Sequence, residues 1–311
     1  MEPDFSFAVL GDSRGRNTQI NKEVFGKLLN DIKKFHNPDF ILFGGDMILG
    51  RSTKGVDVDT QFILEKLTEW NDFTKNIFSI CSLKGFLYPA IGNHDVSNSQ
   101  SVKESESAFN SAYHYLPSNA NGMEMLKGYG KTVYYFDHLN SRFIVLNTRM
   151  KNIDNEQVLY GILKPQQDWL EEVLKNSNKT HNFVMFHWPA FGTEEINSLS
   201  ENQRKAVWKI LDKYKVTAVY VGHEHLYNRR IITNAFFPGE DVLKNEIPQV
   251  TSGGSGAPLE FAGDNIRNIA LGPLSVFNYG IVEVYGKLVV SKIYDINASC
   301  IDYFTYNSAN M

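Results

Sequence analysis

Cysteine is nearly absent from this chain: Cys81 and Cys300 are the only two among 311 residues. That excludes a disulfide framework and any zinc site built on paired cysteines. Pairing between the two stays open, and buried free thiols are the simplest expectation. Neither sign of charge dominates, since 31 basic and 35 acidic residues leave a net charge of −4. No broad basic patch stands out, so nucleic acid is not expected as the main partner. No apolar run approaches the length of a membrane span. Features of a signal peptide are missing, because the first strand pattern begins about four residues after Met1. A cytosolic protein and an exported one with its leader removed both fit that start. No Pro- or Ser-rich linker separates the first motif from the last, so residues 1–311 are expected to form one domain. No Gly-x-Gly-x-x-Gly opens a helix after a strand, which argues against a dinucleotide-binding fold.

What the chain does have is five short islands of Gly, Asp, Asn and His. They are Gly11-Asp12-Ser13-Arg14-Gly15, Gly45-Asp46, Gly92-Asn93-His94-Asp95, Phe186-His187 and Gly222-His223-Glu224-His225. Each follows an apolar, β-branched or aromatic run. The polar residues should therefore stand at the carboxyl ends of buried strands, where open α/β sheets bind ligands. Two carboxylates, one amide oxygen and three imidazoles at one sheet edge are ligand types for two adjacent metal ions. His36, His114, His138 and His181 sit in helix-end, loop or turn contexts and read as packing or surface residues.

Strand and helix patterns alternate through the first two-thirds. Phe5 to Leu10, Phe40 to Phe43 and Leu87 to Ile91 read as strands. Thr18 to Phe35 and Phe62 to Ile80 read as helices, the first with Ile20, Val24, Leu28 and Ile32 four apart. Ser97 to Ser107 reads as a polar surface loop before a helix near Ala108 to Tyr115. Thr132 to Phe136 and Arg142 to Asn147 flank a turn and predict a hairpin. Helices over Gln166 to Leu174 and Gln203 to Tyr214 then alternate with strands Phe183 to Phe186 and Ala218 to Val221. The last sixty residues or so are β-rich, with a hairpin at Gly286-Lys287 joining Gly280 to Tyr285 and Leu288 to Tyr294.

The order of islands from Asp12 to the closing Gly-His-Glu-His resembles the calcineurin-like metallophosphoesterase superfamily. Later segments look most like purple acid phosphatases and their bacterial relatives. The cues are Pro165 through Leu174, the run from Trp208 through Val221, Gly222 through Arg229, and the Gly-rich Thr251 to Pro258. The resemblance implies an α/β fold, a four-layer α/β/β/α sandwich of two mixed sheets flanked by helices, with the site at one end. It implies a phosphatase or phosphodiesterase acting on a small phosphoester, with two divalent metal ions (Mn, Fe or Zn). By that likeness Asp46 bridges the ions; Asn93, His187 and His223 hold one, and Asp12 and His225 the other. His94 would be the general acid, with Asp95 orienting it or raising its pKa, because histidine changes charge near neutral pH. Glu224, between two ligands, would point outward. Trp188 and Tyr227 lie next to ligand loops and are candidates for the pocket wall.

The pattern also departs from its relatives. Superfamily members commonly carry His two residues after the first Asp, where this chain has Arg14. Purple acid phosphatases supply a Tyr three residues after the bridging Asp, where this chain has Leu49. The Asp12/His225 site therefore lacks a protein ligand by both comparisons and should be weak. An arginine stays charged and cannot ligate a metal, but its fork of donors suits phosphate oxygens. Arg14 is thus expected to clamp substrate or to compensate charge in that site. The competing reading is a metallophosphoesterase fold that has lost turnover and serves as a scaffold or sensor.

Overall fold

The computed structural model describes residues 2–16, 20–50, 58–97, 101–118, 125–151, 158–237, 239, 243–261, 263–265 and 267–307. Strands and helices alternate first: β1 (Phe5–Leu10), α1 (Lys22–Phe35), β2 (Phe40–Phe43), α2 (Thr60–Phe78) and β3 (Leu87–Pro89). Two short helices follow, α3 (Val102–Ser105) and α4 (Ser107–Ala112), then β4 (Tyr134–His138), β5 (Ser141–Val145), β6 (Arg149–Lys151) and β7 (Val158–Tyr160). Next come α5 (Lys164–Lys175), β8 (His181–Met185), α6 (Glu201–Lys213) and β9 (Ala218–Val221). The remainder is β: β10 (Tyr227–Ile232), β11 (Ile247–Ser252), β12 (Ile269–Leu274), β13 (Asn278–Tyr285), β14 (Leu288–Asp295) and β15 (Cys300–Asn307).

These strands form a six-stranded sheet, β15-β14-β13-β1-β2-β3, and a seven-stranded one, β12-β10-β11-β9-β8-β5-β4. Within the first, β1, β2 and β3 run parallel. Within the second, β5, β8, β9 and β11 do. Parallel strands buried on both faces read as continuous apolar runs, which is why the sequence locates them so well. Phe7 of β1 faces the other sheet, meeting Phe143, Phe183 and Tyr220 at ring-centroid distances of 5.1, 5.3 and 6.1 Å. Phe43 of β2 points the other way, onto Trp70 and Phe25 of the outer helices. On the far side Leu170, Val173, Val207, Trp208 and Leu211 of α5 and α6 pack against Ile144, Val184 and Val219. The result is the expected α/β/β/α layering.

Several boundaries differ from the sequence reading for local reasons. Helix α1 begins at Lys22, because the Asn21 side chain accepts from the Val24 N–H as an N-cap. Ile20 forms a bridge with Arg14, and residues 17–19 lie outside the described residues. Within the polar segment 97–107, Val102–Ser105 makes a helical turn capped by Ser101, and Ser97, Ser105 and Glu106 are buried. Residues 98–100 of that segment lie outside the described residues. The first hairpin sits further along than expected on its leading strand, with β4 ending at His138. Both cysteines are free and exposed, not buried. Among the described residues no helix is long and apolar enough to cross a membrane.

The terminal strand β15 ties the two sheets together. Asp302, buried on β15, accepts Tyr227 Oη at 2.5 Å and Arg229 Nε and Nη2 at 2.7 and 3.1 Å. Both donors belong to β10 of the other sheet, directly after the Gly222–His225 island. Asp302→Ala would strand a buried phenol and a largely buried guanidinium. It should cost about 2–4 kcal/mol in urea unfolding. A loss below about 0.5 kcal/mol, the range of an ordinary surface change, would show that this linkage contributes little.

Candidate metal centre

Three polar residues at the strand ends adopt a backbone conformation that side chains with a Cβ rarely take. Asp12, Asp46 and His223 have φ of 61°, 54° and 71°. Each turn is held by a bond from its own amide: Asp12 N–H to Gly45 O at 2.9 Å, Asp46 N–H to Asp95 Oδ2 at 2.8 Å, and His223 N–H to Asp12 Oδ2 at 2.9 Å. Strain of this kind persists only where surroundings over-determine it, and it clusters at functional sites. The glycines beside these turns permit the close approach. A Cβ on Gly92 would lie 2.1 Å from Asp46 Oδ1, and one on Gly222 2.5 Å from Asp12 Oδ2.

The turns aim side chains at one another across the sheet ends. His187 Nδ1–H donates to Gly44 O at 2.7 Å, so a neutral ring presents the Nε2 lone pair. That Nε2 lies 2.9 Å from Asn93 Oδ1 and 3.5 Å from Asp46 Oδ1. His223 Nδ1 lies 3.1 Å from the same Asn93 oxygen. Burial pushes the His187 imidazole down to about 4, and it holds His223 well below its ordinary range. The His187 Nε2 lone pair, the Asn93 oxygen and the Asp46 carboxylate face one another with the His223 ring beside them, a set of groups that fits a divalent cation.

A second group adjoins it. Ligand atoms of Asp12, Asp46 and His225 all lie within 4.8 Å of one another, and all three residues are buried. His225 Nδ1–H donates to Pro258 O at 2.8 Å, leaving Nε2 facing Asp12 Oδ1 at 3.7 Å. Burial, then the Asp46 charge, pushes the Asp12 carboxyl well above the ordinary range, with Arg14 and the His223 N–H pulling the other way. A cation here relieves two carboxylates that burial and proximity set against each other. Asp46 thus has atoms near both groups, with Oδ1 3.5 Å from His187 Nε2 and a carboxylate oxygen in the set formed with Asp12 and His225.

The three residues expected to act on substrate fall in different places. His94 stands at the rim: its N–H donates to Asp46 Oδ1 at 2.7 Å, and its Nε2 is 3.8 Å from Asp46 Oδ2. Asp95 is fully buried, and its carboxylate accepts from the amides of Gly92, Asp46 and Met47 at 2.9, 2.8 and 2.9 Å. The expectation that Asp95 orients the His94 ring is therefore corrected: its oxygens pin the Asp46 and Gly92 turns, because that is where unpaired buried amides need an acceptor. Arg14 lies inside the second group, with Nη2 3.4 Å from His225 Nε2 and Nε 3.6 Å from Asp46 Oδ2.

Other features escaped sequence reading. Glu224 points inward, not outward: Oε1 accepts the Thr193 N–H and Oγ1–H at 2.5 and 2.8 Å, locking the loop after β8 to the last island. Burial raises its carboxyl to about 7, with the Thr193 bonds opposing. Glu260 accepts the His225 N–H at 3.2 Å and sits 3.2 Å from Nδ1 through its other oxygen. No spacing rule links position 260 to 225; only the path of the Gly-rich loop does. That loop also grips the first island, through Ser255 N–H to Gly11 O at 3.0 Å and Ala257 N–H to Asp12 O at 2.8 Å. Trp188 does border the site, stacked on His223 at 3.6 Å with Tyr160 behind it at 3.8 Å. Tyr227 does not, being spent on Asp302.

Known proteins share these features. A family model described as calcineurin-like phosphoesterase matches residues 5–227. Fe(3+)-Zn(2+) purple acid phosphatase 12 of Arabidopsis thaliana is 29% identical over 147 residues, which is 44% of this chain and 28% of that protein. Among solved structures, purple acid phosphatase PPD1 from yellow lupin (Lupinus luteus) seeds superposes with a TM-score of 0.70 at 16% identity, covering 99% of this chain and 54% of the lupin chain. PhoD does so with a TM-score of 0.65 at 14% identity, covering 96% of this chain and 72% of its own. GAP50, the anchor in the inner membrane complex of Plasmodium, gives 0.63 at 13% identity over 98% of this chain and 89% of its own. At such identities the likeness shows the fold, and this chain spans only about half of the lupin protein. With the family match running from β1 into β10, through all five islands, the chain belongs to the calcineurin-like phosphoesterase family.

Proposed function

We propose that residues 1–311 act as one metal-dependent phosphoester hydrolase domain, with two cation positions sharing Asp46. The observation that carries this reading is the buried knot of acceptors at Asp46, Asn93, His187 and His223, beside Asp12 and His225. Buried acceptors crowded in this way cost folding energy, which a bound divalent cation would offset together with the Arg14 charge. Asn93, His187 and His223 would hold one divalent ion (Mn, Fe or Zn), Asp12 and His225 the other. Bound ions offset the charge of a phosphoryl group and lower the pKa of water beside it.

The chain's own residues supply orientation and protons. Gly44 O and Pro258 O fix the tautomers of His187 and His225 so that Nε2 faces the site in both. His94, tethered by its amide to Asp46 and partly exposed, would give a proton to the leaving oxygen. Arg14 sets a cationic side chain beside the ligand atoms of Asp46 and His225, and its fork is suited to phosphate oxygens. Glu195, on the loop after β8, is paired through both carboxylate oxygens with Arg204 at 2.6 and 3.0 Å. A scaffold or sensor role on the same fold predicts metal without turnover, so hydrolysis assays on an aryl monophosphate and an aryl diphosphate ester separate the two readings.

Asp46→Asn and His187→Ala should each remove most of the bound metal together with the activity. Wild-type metal content in both variants would show the ligand assignment to be wrong. His94→Ala should behave otherwise, keeping metal while turnover falls by about 10²–10⁴, the usual contribution of a general acid. Aryl esters, whose leaving groups need little protonation, should lose least. An equal loss for alkyl and aryl esters would count against His94 as the acid.

A further inference from the structure

Arg14 packs its guanidinium among the ligand atoms themselves. Its side chain is only 16% exposed, and its own N–H is fixed to Asp46 O at 3.2 Å. The guanidinium turns into the space between Asp46 Oδ2, 3.6 Å from Nε, and His225 Nε2, 3.4 Å from Nη2. Those atoms belong to two of the three residues that form the Asp12–Asp46–His225 group. Since His225 Nδ1–H is committed to Pro258 O, its Nε2 can only accept, and here it faces a donor of Arg14. An arginine cannot give up its charge, so it sets a permanent positive charge beside these acceptors. A metal ion in the same group would need the same lone pairs at about 2.0–2.2 Å and would meet a fixed positive charge. Among the described residues no arginine or lysine is recorded in contact with the Asn93–His187–His223 group, where His187 Nε2 and Asn93 Oδ1 both present lone pairs.

We propose that the Arg14 guanidinium is a built-in cation in the Asp12–Asp46–His225 position, and that it and a second metal ion are alternative occupants. This rests on the metal-dependent reading above. It sharpens that reading: the resting protein holds one divalent ion, at Asn93, His187, His223 and Asp46, and one guanidinium beside it. A phosphoryl group would then be met by one ion and one arginine fork, and a second ion would enter only when Arg14 is drawn out of the pocket.

The test is calorimetric titration of Mn²⁺ into chelator-treated protein, with bound metal counted after desalting. Wild type should show one tight ion per chain and a second weaker by about 100-fold or more. Arg14→Ala deletes the competing charge and adds no ligand, so it should tighten the second ion by at least about tenfold. Arg14→His should tighten it further by adding a donor, whereas Arg14→Lys, which keeps the charge, should stay at one ion. Thermal melts of the metal-free variants, each within a few degrees of wild type, accompany the titrations. Two equally tight ions in wild type, or a second-site affinity that Arg14→Ala leaves unchanged, would overturn the proposal. No tight ion in any of the four proteins would instead sink the metal-dependent reading itself.

Discussion

Everything at the site depends on three non-glycine residues being held in left-handed backbone at the ends of parallel strands. Asp12, Asp46 and His223 reach that conformation only because each amide finds an acceptor on a neighbouring island. The islands thus strain and satisfy one another: Asp12 Oδ2 holds the His223 turn, Gly45 O holds the Asp12 turn, and Asp95 holds the Asp46 turn. No strand end could form this geometry alone. The two sheets must first be packed face to face by the Phe7, Phe143, Phe183 and Tyr220 cluster before the loops can meet.

Backbone and carboxylate contacts around these residues then decide how the side chains point. The Gly-rich loop after β11 bonds to Gly11 and Asp12 on one side and, through Pro258 and Glu260, to His225 on the other. Glu224 accepts two bonds from Thr193, and Asp95 accepts from three amides of the Asp46 and Gly92 turns. Trp70 extends the same network into the helical layer, donating from Nε1 to Ser13 Oγ at 2.8 Å while that hydroxyl donates to Met47 O at 3.1 Å. Residues that look catalytic by position are therefore partly scaffolding, and a buried charge is no guide to which.

Much of the fold was legible in the chain because its signals are local. The strands Phe5–Leu10, Phe40–Phe43 and Ala218–Val221 are sandwiched between layers, so every residue in them is apolar or small enough to read as one run. The amphipathic helices follow from their 3.6-residue period, and the hairpin at Gly286-Lys287 from turn chemistry. The short β6–β7 pair and the strand order of the tail were not legible. β12 pairs with β10 and β11 with β9, each skipping a strand, and Asp302 of β15 meets β10 across the sheets. Pairings over such separations leave no periodic trace.

The sequence by itself determined which residue types arrive at the strand ends, because glycine-flanked Asp, Asn and His after apolar runs can only be placed there by covalent neighbourhood. It also determined that position 14 carries a permanent charge in place of a ligand. Only the tertiary structure decided where that charge goes. Arg14 is pinned by its own amide to Asp46, so its guanidinium falls between Asp46 and His225, a residue 211 positions away. Likewise the fate of Asp95, Glu224 and Glu260 was set by which buried amide each one met. Acceptors are chosen by proximity in space, and proximity across two packed sheets is written in no local pattern.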